Sequence, residues 1–188
     1  VMLQYYYVLN KDAGYNSKRI VAEYQYCDNY DTSQAVKNFY QGLPYVEAVT
    51  SAQDTSPLWG YSGEMMYDES GKSLFSTKYD NMEENFADIM SIGIKQGRVP
   101  RERQEAAVSE TWLDMRGWSA DEAIGKVIQT EEGRLRIVGI IKDFQIGNFF
   151  DESQPFLMHF NPSFSGMIHL RLKEPFAENL QRLNKEAG

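Results

Sequence analysis

GKVIQTEEGRLRIVGIIKDFQ, residues 125–145, is the stretch on which the reading of the fold turns. Its second half, Arg134 to Lys142, is a long run of β-branched and aliphatic residues, and Gln129 to Gly133 supplies turn residues before it. Two such runs joined by a short Gly-containing segment predict a β-hairpin. Gly139 interrupts the second strand without a side chain, which marks a bulge or a close approach of another backbone. The strand closes on Lys142-Asp143-Phe144. Aspartate is a common turn residue because its carboxylate accepts nearby backbone N–H groups. Asp143 is therefore expected to bond the loop after the strand, with Phe144 anchoring that loop to the core.

Upstream, AAVSETWLDMRGW (106–118) predicts a short strand and then a helix carrying Trp112, Leu113 and Met115, with Gly117 as a left-handed cap. EENFADIMSIGI (83–94) places Phe86, Ile89 and Met90 on one helical face and is closed by Gly93. PLWGYSGEMMYDESGKSLFSTKYDN (57–81) reads as short strands with a hairpin at DESGK. Nearer the start, RIVAEYQY (19–26) and VEAVTSA (46–52) are strands around a helix whose apolar stripe is Val36, Phe39 and Tyr40, and whose cap is Asp31 or Ser33. Strand, helix and strand in that order predict a parallel crossover. Downstream, PFLMHF (155–160) and GMIHLRLK (166–173) are strands, and FAENLQRLNKEA is a closing helix with Phe176, Leu180 and Leu183 on its buried face. The opening VMLQYYYVLNKDAGYN sets Met2, Tyr5, Tyr6 and Leu9 at helical spacing before Gly14 and Asn16 stop the helix.

The chain has 188 residues, 42% of them hydrophobic, which suits one domain or two small subdomains with a real core. A formal net charge of -8 repels phosphate backbones, and no basic cluster reverses it, so nucleic acid is not an expected partner. One cysteine, Cys27, permits no internal disulfide and no cysteine-rich metal site. No apolar run approaches the roughly 20 residues that span a bilayer. The start at Val1 and the stop after a helical pattern read as an excised segment.

Catalytic patterns are incomplete. Gly60-Tyr61-Ser62-Gly63 is followed by Glu64, so the G-x-S-x-G elbow is broken. His159 and His169 are the two histidines, and neither has a carboxylate at a metal-ligand spacing. Glu83, Glu84 and Asp88 open a short helix, where the helix dipole favours them. Neither glycine-rich phosphate motif occurs. No catalytic, cofactor-binding or metal-ligating residue is assigned.

NFADIMSIGIKQGR, AAVSETWLDMRGW, AIGKVI and LRIVGIIKDFQIGNFFDESQPFL, in that order, resemble the MacB-type periplasmic core domain of FtsX-like ABC transporter permeases. Gly97-Arg98 matches a short element ending in Gly-Arg. Ser109-Glu110 stands where Asn-Glu is common, Ile124-Gly125-Lys126 matches an Ile-Gly-Lys step, and Ile137 to Phe144, with Gly139, Lys142, Asp143 and Phe144, matches a strand ending in Lys-Asp-Phe. The Asp12 to Asn16 turn resembles the segment that follows a helix leaving the membrane. Asp121-Glu122-Ala123 departs from the Asn-Pro that precedes Ile-Gly-Lys in the family. The resemblance implies an α+β fold: a membrane-proximal stalk helix (1–17), a split, porter-like α/β subdomain (18–55 plus 154–188) and a mostly β inserted subdomain (56–153).

It also implies a function. The chain would be the extracytoplasmic part of a permease, on the periplasmic side of the inner membrane. It would couple ATP-driven motion of flanking transmembrane helices to export, lipoprotein release or mechanotransmission. It would not itself be an enzyme, because a separate cytoplasmic ABC ATPase subunit would hydrolyse ATP, and it would work as a homodimer. A ligand-binding sensor using Trp59, Tyr61, Phe149 and Phe150, and a hydrolase using Ser62 or Asp143, are the alternatives the residues leave open.

Overall fold

Two β-sheets organise the described residues. The structure, a computed structural model, describes residues 12–24, 30–53, 62–131, 133–146, 152–161 and 166–186. The helix expected before residue 12, Cys27, Trp59, Tyr61, Phe149 and Phe150 lie outside the described residues.

The smaller sheet holds β1 (Ile20–Tyr24), β2 (Val46–Ala52) and β10 (Met167–Leu172) in the order β1-β10-β2. β10 is antiparallel to both neighbours, with Leu170 opposite Val21 on one side and Val49 on the other. β1 and β2 are thus parallel, as a crossover through helix α1 (Tyr30–Gln41) requires, but they do not touch. β10 takes the central place because it is buried along almost its whole length, whereas β1 and β2 carry exposed residues. The first and last sections of the chain are therefore interleaved in one layer. α1 and the closing helix α5 (Phe176–Glu186) cover this sheet through Tyr40, Tyr45, Val49, Leu170, Leu172 and Leu183.

The helical stripe differs from its sequence reading. Tyr40 is buried and Val36 packs against the core as expected, but Phe39 is 54% exposed, and Ser33 and Lys37 are buried in its stead. The helix also begins at Tyr30, so Asp31 and Ser33 lie inside its first turn rather than at its cap. Lys37 is drawn inward because its ammonium meets the Glu83 carboxylate.

The larger sheet contains β3 (Ser62–Tyr67), β4 (Ser73–Asn81), β5 (Ile94–Gly97), β6 (Glu105–Ser109), β7 (Val127–Gln129), β8 (Arg134–Ile141) and β9 (Phe156–His159). Their order is β5-β8-β6-β9-β4-β3-β7, and β7 also pairs with β8. That last pairing closes β8, β6, β9, β4, β3 and β7 into a ring, which removes free edges from these six strands. β9 runs parallel to β4 and antiparallel to β6. The sequence reading groups Phe156–His159 with the terminal segments, so sheet membership changes after β9 rather than at residue 154. All of its side chains are buried, and a strand buried on both faces needs a neighbour on each edge.

The opening stretch forms the expected hairpin. Ile128 pairs with Leu135, and the Thr130 N–H donates to the Gly133 carbonyl at 2.8 Å. Only Arg134 to Arg136 pair with β7; the rest of β8 runs on between β6 and β5. Gly139 satisfies both halves of its sequence reading. The β6–β8 register skips a residue between Ile137 and Gly139, and a Cβ on Gly139 would lie 1.9 Å from the Arg98 carbonyl oxygen.

Short helices decorate the ring: α2 (Phe86–Met90), α3 (Glu110–Arg116) and α4 (Ala120–Ala123). Gly117 caps α3 in the left-handed region at φ +71, as expected. α2 ends earlier than its reading, at Ser91 with φ +57 rather than at Gly93. α4 was not foreseen; it starts on a capping box in which Ser119 and Glu122 satisfy each other's backbone N–H groups.

Candidate functional site

The strand end at Lys142-Asp143-Phe144 is where the parts of the molecule converge. Among the described residues, Asp143 bonds outside its own loop. Its carboxylate accepts from the Thr111 N–H at 2.9 Å and the Thr111 hydroxyl at 2.6 Å, in the first turn of α3. The unsatisfied N–H groups and dipole of that helix end favour a carboxylate there. Ser109 caps the same helix by accepting from the Trp112 N–H, and it also accepts from the Phe156 N–H at 3.0 Å, which ties α3 to β9. Beside it, Glu110 pairs with Lys95 of β5; this hydrogen bond holds the Glu110 carboxyl below the usual range and raises Lys95.

Phe144 is buried and meets the Phe156 ring edge-on at 5.0 Å. Both belong to a core cluster that also holds Ala52, Met82, Phe86, Met90 and Ile146, with Tyr15 and Ile20 packed against it. This cluster draws on both sheets and on the turn before β1. The turn itself sits on the strand end. The Gln145 N–H donates to the Ala13 carbonyl at 2.8 Å, and the Asn16 N–H donates to the Met90 carbonyl at 2.7 Å. Gly14, at φ +74, is held by the Asp12 carboxylate; a Cβ there would lie 2.7 Å from the Asp143 carbonyl oxygen. Only glycine allows that approach in that conformation. On the other side the Lys142 N–H donates to the Gly93 carbonyl at 2.8 Å.

A second band of polar contacts joins the sheets. Ala52 and Met82 form a bridge, and the Gln53 N–H donates to the Asn81 carbonyl at 2.9 Å. The Glu83 carboxylate accepts from the Ser51 N–H at 3.0 Å while also holding Lys37. Thr50 donates to Asn85, whose amide donates to the Val49 carbonyl at 2.9 Å. Arg171 of β10 donates to the Ile89 carbonyl of α2. Glu83 thus serves the seam between sheets rather than a paired-carboxylate site, and Glu84 meets Arg101 at 2.7 Å.

Comparison with solved structures places this architecture. The periplasmic region of MacB from Actinobacillus actinomycetemcomitans superposes with a TM-score of 0.61 at 16% identity, over 96% of this chain and 88% of that one. The fold is that of a MacB-type periplasmic domain. The extracellular domain of the noncanonic ABC-type transporter YknZ from Gram-positive bacteria matches with a TM-score of 0.59 at 10% identity, over 90% of this chain and 95% of that one. A domain of a presumed permease protein from Porphyromonas gingivalis matches at 0.53 and 18% identity, over 79% and 74% of the two chains. No protein-family model and no curated protein matches the sequence.

Within the MacB-type fold, the remaining motif residues have definite placements. Gly97, at φ +74, lies against the β8 bulge, where a Cβ would be 2.3 Å from the Val138 carbonyl oxygen. The Arg98 N–H donates to that same oxygen at 3.0 Å. Its guanidinium grips the buried Glu105 carboxylate through two hydrogen bonds, at 2.7 and 2.5 Å. The Arg98 hydrogen bonds are the chief reason that the Glu105 carboxyl falls to about 2. Sequence reasoning missed Glu105; the signal was a lone acid opening the apolar run Glu105–Ser109. The Gly125 N–H donates to the Ile137 carbonyl at 2.8 Å, and the Ile137 N–H donates back to Lys126 at 2.9 Å. Ile124 packs against the core formed by Trp112, Ile128 and Ile137.

The two histidines are separated. His159 on β9 meets the Arg103 carbonyl through Nε2 at 2.6 Å. His169 on β10 is fully buried, edge-on to Phe86 at 5.3 Å, and burial lowers its pKa to about 4. Among the described residues no group of histidine, cysteine and carboxylate side chains converges as a metal site. Ser62 opens β3 on an exposed position opposite Tyr79, not on a strand-to-helix elbow. Among the described residues no helix is long and apolar enough to cross a membrane.

Proposed function

We propose that this chain is the extracytoplasmic domain of an ABC transporter permease, standing on the outer face of the cytoplasmic membrane. Transmembrane helices of the same permease would flank it, a cytoplasmic ABC ATPase subunit would supply the energy, and two copies would face each other in the full assembly. The observation that carries this reading is the docking of the Asp12 to Asn16 turn on the Lys142-Asp143-Phe144 strand end, within a fold shared with domains of transporters.

The mechanism follows from connectivity. The three-stranded sheet, built from both ends of the chain, and the ring, which takes in β9, share the Phe144–Phe156 core. A displacement arriving through the leading turn would act at Ala13 and Gly14, and so on the end of β8. From there β8 carries it into the ring as a packed unit, because closely packed cores move as bodies rather than deform. The reading needs no chemistry at the strand end: the Asp143 carboxylate is committed to Thr111.

The test is to express the chain with its native flanking sequence and isolate it from membranes. The expected result is a membrane-embedded permease that co-purifies with an ATPase, whose nucleotide turnover changes when the leading turn is altered by Gly14→Val. A flanked protein that partitions as a soluble monomer and retains no ATPase would overturn the reading.

A further inference from the structure

The seam and strand end leave a cavity beside the ring unaccounted for. A cleft of about 1240 Å³ opens beside the β7–β8 hairpin, floored by Trp112 and Trp118 and flanked by Leu74 and Val127. Leu74 is 38% and Val127 is 50% exposed, which presents apolar surface along the flank of the cleft. Over the Trp118 ring lie two cations, the Arg116 guanidinium at 4.4 Å and the Lys126 ammonium at 4.1 Å. Neither forms an ion pair among the described residues. Both cations stand over one indole and line the cleft, so an anion in the cleft gains from each; among the described residues Lys126 otherwise feels the Glu122 carboxylate at longer range. Beneath them Trp112 is fully buried, and its Nε1–H has no acceptor. Buried donors are nearly always satisfied, by protein, water or ligand.

The carboxylates of the cleft are at its other end. Asp68 and Glu69 belong to the β3–β4 turn and Glu131 to the β7–β8 turn, and the two turns adjoin because Tyr67 pairs with Gln129 and Gln129 with Arg134. Lys126 precedes Gln129 by three residues, about 10 Å along an extended strand. Asp68 is already occupied, accepting from the Ser70 N–H, the Ser70 hydroxyl and the Lys72 N–H. The cleft thus has a cationic end over indoles, an apolar flank and a far end of mixed charge, where Arg134 stands among the carboxylates.

We propose that this cleft binds an amphipathic anion, with its charged head between Arg116 and Lys126 and its apolar body along Trp118, Leu74 and Val127. The head is a carboxylate or a comparable oxyanion, which the two cations can engage by charge-assisted hydrogen bonds. The site does not depend on the permease reading, because it lies wholly beside the ring and uses no residue of the strand end.

The test uses the whole chain. Dodecanoate below its micelle concentration is titrated by calorimetry and by the Trp112 indole N–H resonance, assigned with Trp112→Phe. Butyrate supplies the head without the body, and dodecyltrimethylammonium the body with the opposite charge. Vesicles of phosphatidylglycerol present the same chemistry on a membrane. Saturable binding of dodecanoate is expected, weakened at least tenfold in Arg116→Gln/Lys126→Gln, weakened by added salt, and unchanged in Lys185→Gln. Lys126→Gln alone, at an exposed position, keeps the fold and is expected to lose about half of that effect on a logarithmic scale. Vesicle binding with the same variant dependence supports a lipid as the source of the anion, and dodecanoate binding without it supports a soluble one. Equal binding of the trimethylammonium amphiphile, or undiminished dodecanoate binding by the folded double variant, overturns the proposal, as does the absence of saturable binding in both the dodecanoate and the vesicle arms.

Discussion

At the scale of single residues, backbone approach and buried charge set the sharpest constraints. Gly139→Ala would drive a methyl to 1.9 Å from the Arg98 carbonyl, a contact with backbone that no rotamer relieves. The expected loss is about 3 kcal/mol, the upper range for overpacking, read as a lower urea midpoint with unchanged slope. Glu105 carries a depressed carboxyl, near 2 in the folded chain against an ordinary 4.5. Its stabilisation is therefore complete above about 4.5 and is lost as the pH falls toward 2. Glu105→Gln is expected to lower stability at pH 7 by about 1–3 kcal/mol, with Arg98 partly returned to water, and to flatten the acid limb of the stability curve below pH 4.5. His169 acts in a higher window. Its folded pKa of about 4 lies below the ordinary 6.5, so the unfolded chain binds the extra proton and stability falls from pH 6.5 toward 4. His169→Leu removes the buried imidazole whose protonation the core opposes. It is expected to hold stability at pH 7 and to abolish the loss between pH 6.5 and 4, measured by denaturation across that range.

At the scale of elements, α3 shows how a loop residue can organise a distant helix. Asp143 is the acceptor for the first turn of α3, and Ser109 links the same turn to β9. Asp143→Ala is expected to cost about 1–2 kcal/mol, the size of a lost helix cap, and to raise amide exchange at Thr111 and Trp112 before the β6–β8 ladder is affected. Asparagine at 143 keeps one acceptor and is expected to recover part of the loss. Sequence patterning found β8, its glycine, and the strand–helix step of Ala106–Trp118, because these follow from local periodicity and turn chemistry. It put Phe39 on the buried face of α1 beside Val36 and Tyr40, and missed Lys37 there, since the Lys37–Glu83 pair lies across 46 residues of chain and leaves no local trace. It also ended α2 at Gly93, where the obvious left-handed residue stood, although Ser91 adopts that conformation.

At the scale of the whole molecule, the strand end is a junction between both sheets and the leading turn. Gly14→Val would place a branched side chain at φ +74 against the Asp143 carbonyl, 2.7 Å from where its Cβ must sit. The turn is expected to detach. Amide exchange at Asn16 and Gln145 should accelerate by at least tenfold, while the protection of β6, β8 and β9 is kept, because the ring closes without it. Equal loss of protection throughout would mean that the turn belongs to the global folding unit and is not a separable contact. The motifs at Gly97, Gly125, Gly139 and Asp143 were visible one by one in the sequence, but their common purpose was not. They meet only because β8 passes between β5, β6 and β7.

Composition, periodicity and turn chemistry by themselves determined an acidic chain of mixed strands and helices, the hairpin at 125–145 and the special place of Gly139, and the order of its motifs carried a resemblance whose implied α+β fold the solved structures bear out. These are local properties, written within a few residues of one another. The tertiary structure alone decided that β10 separates β1 from β2, that β9 belongs to the ring, that Asp143 serves α3, and that Arg116, Lys126 and two indoles share a cleft. Each of these depends on contacts between residues far apart in the chain, where hydrogen-bond pairing and burial choose among partners that periodicity cannot rank.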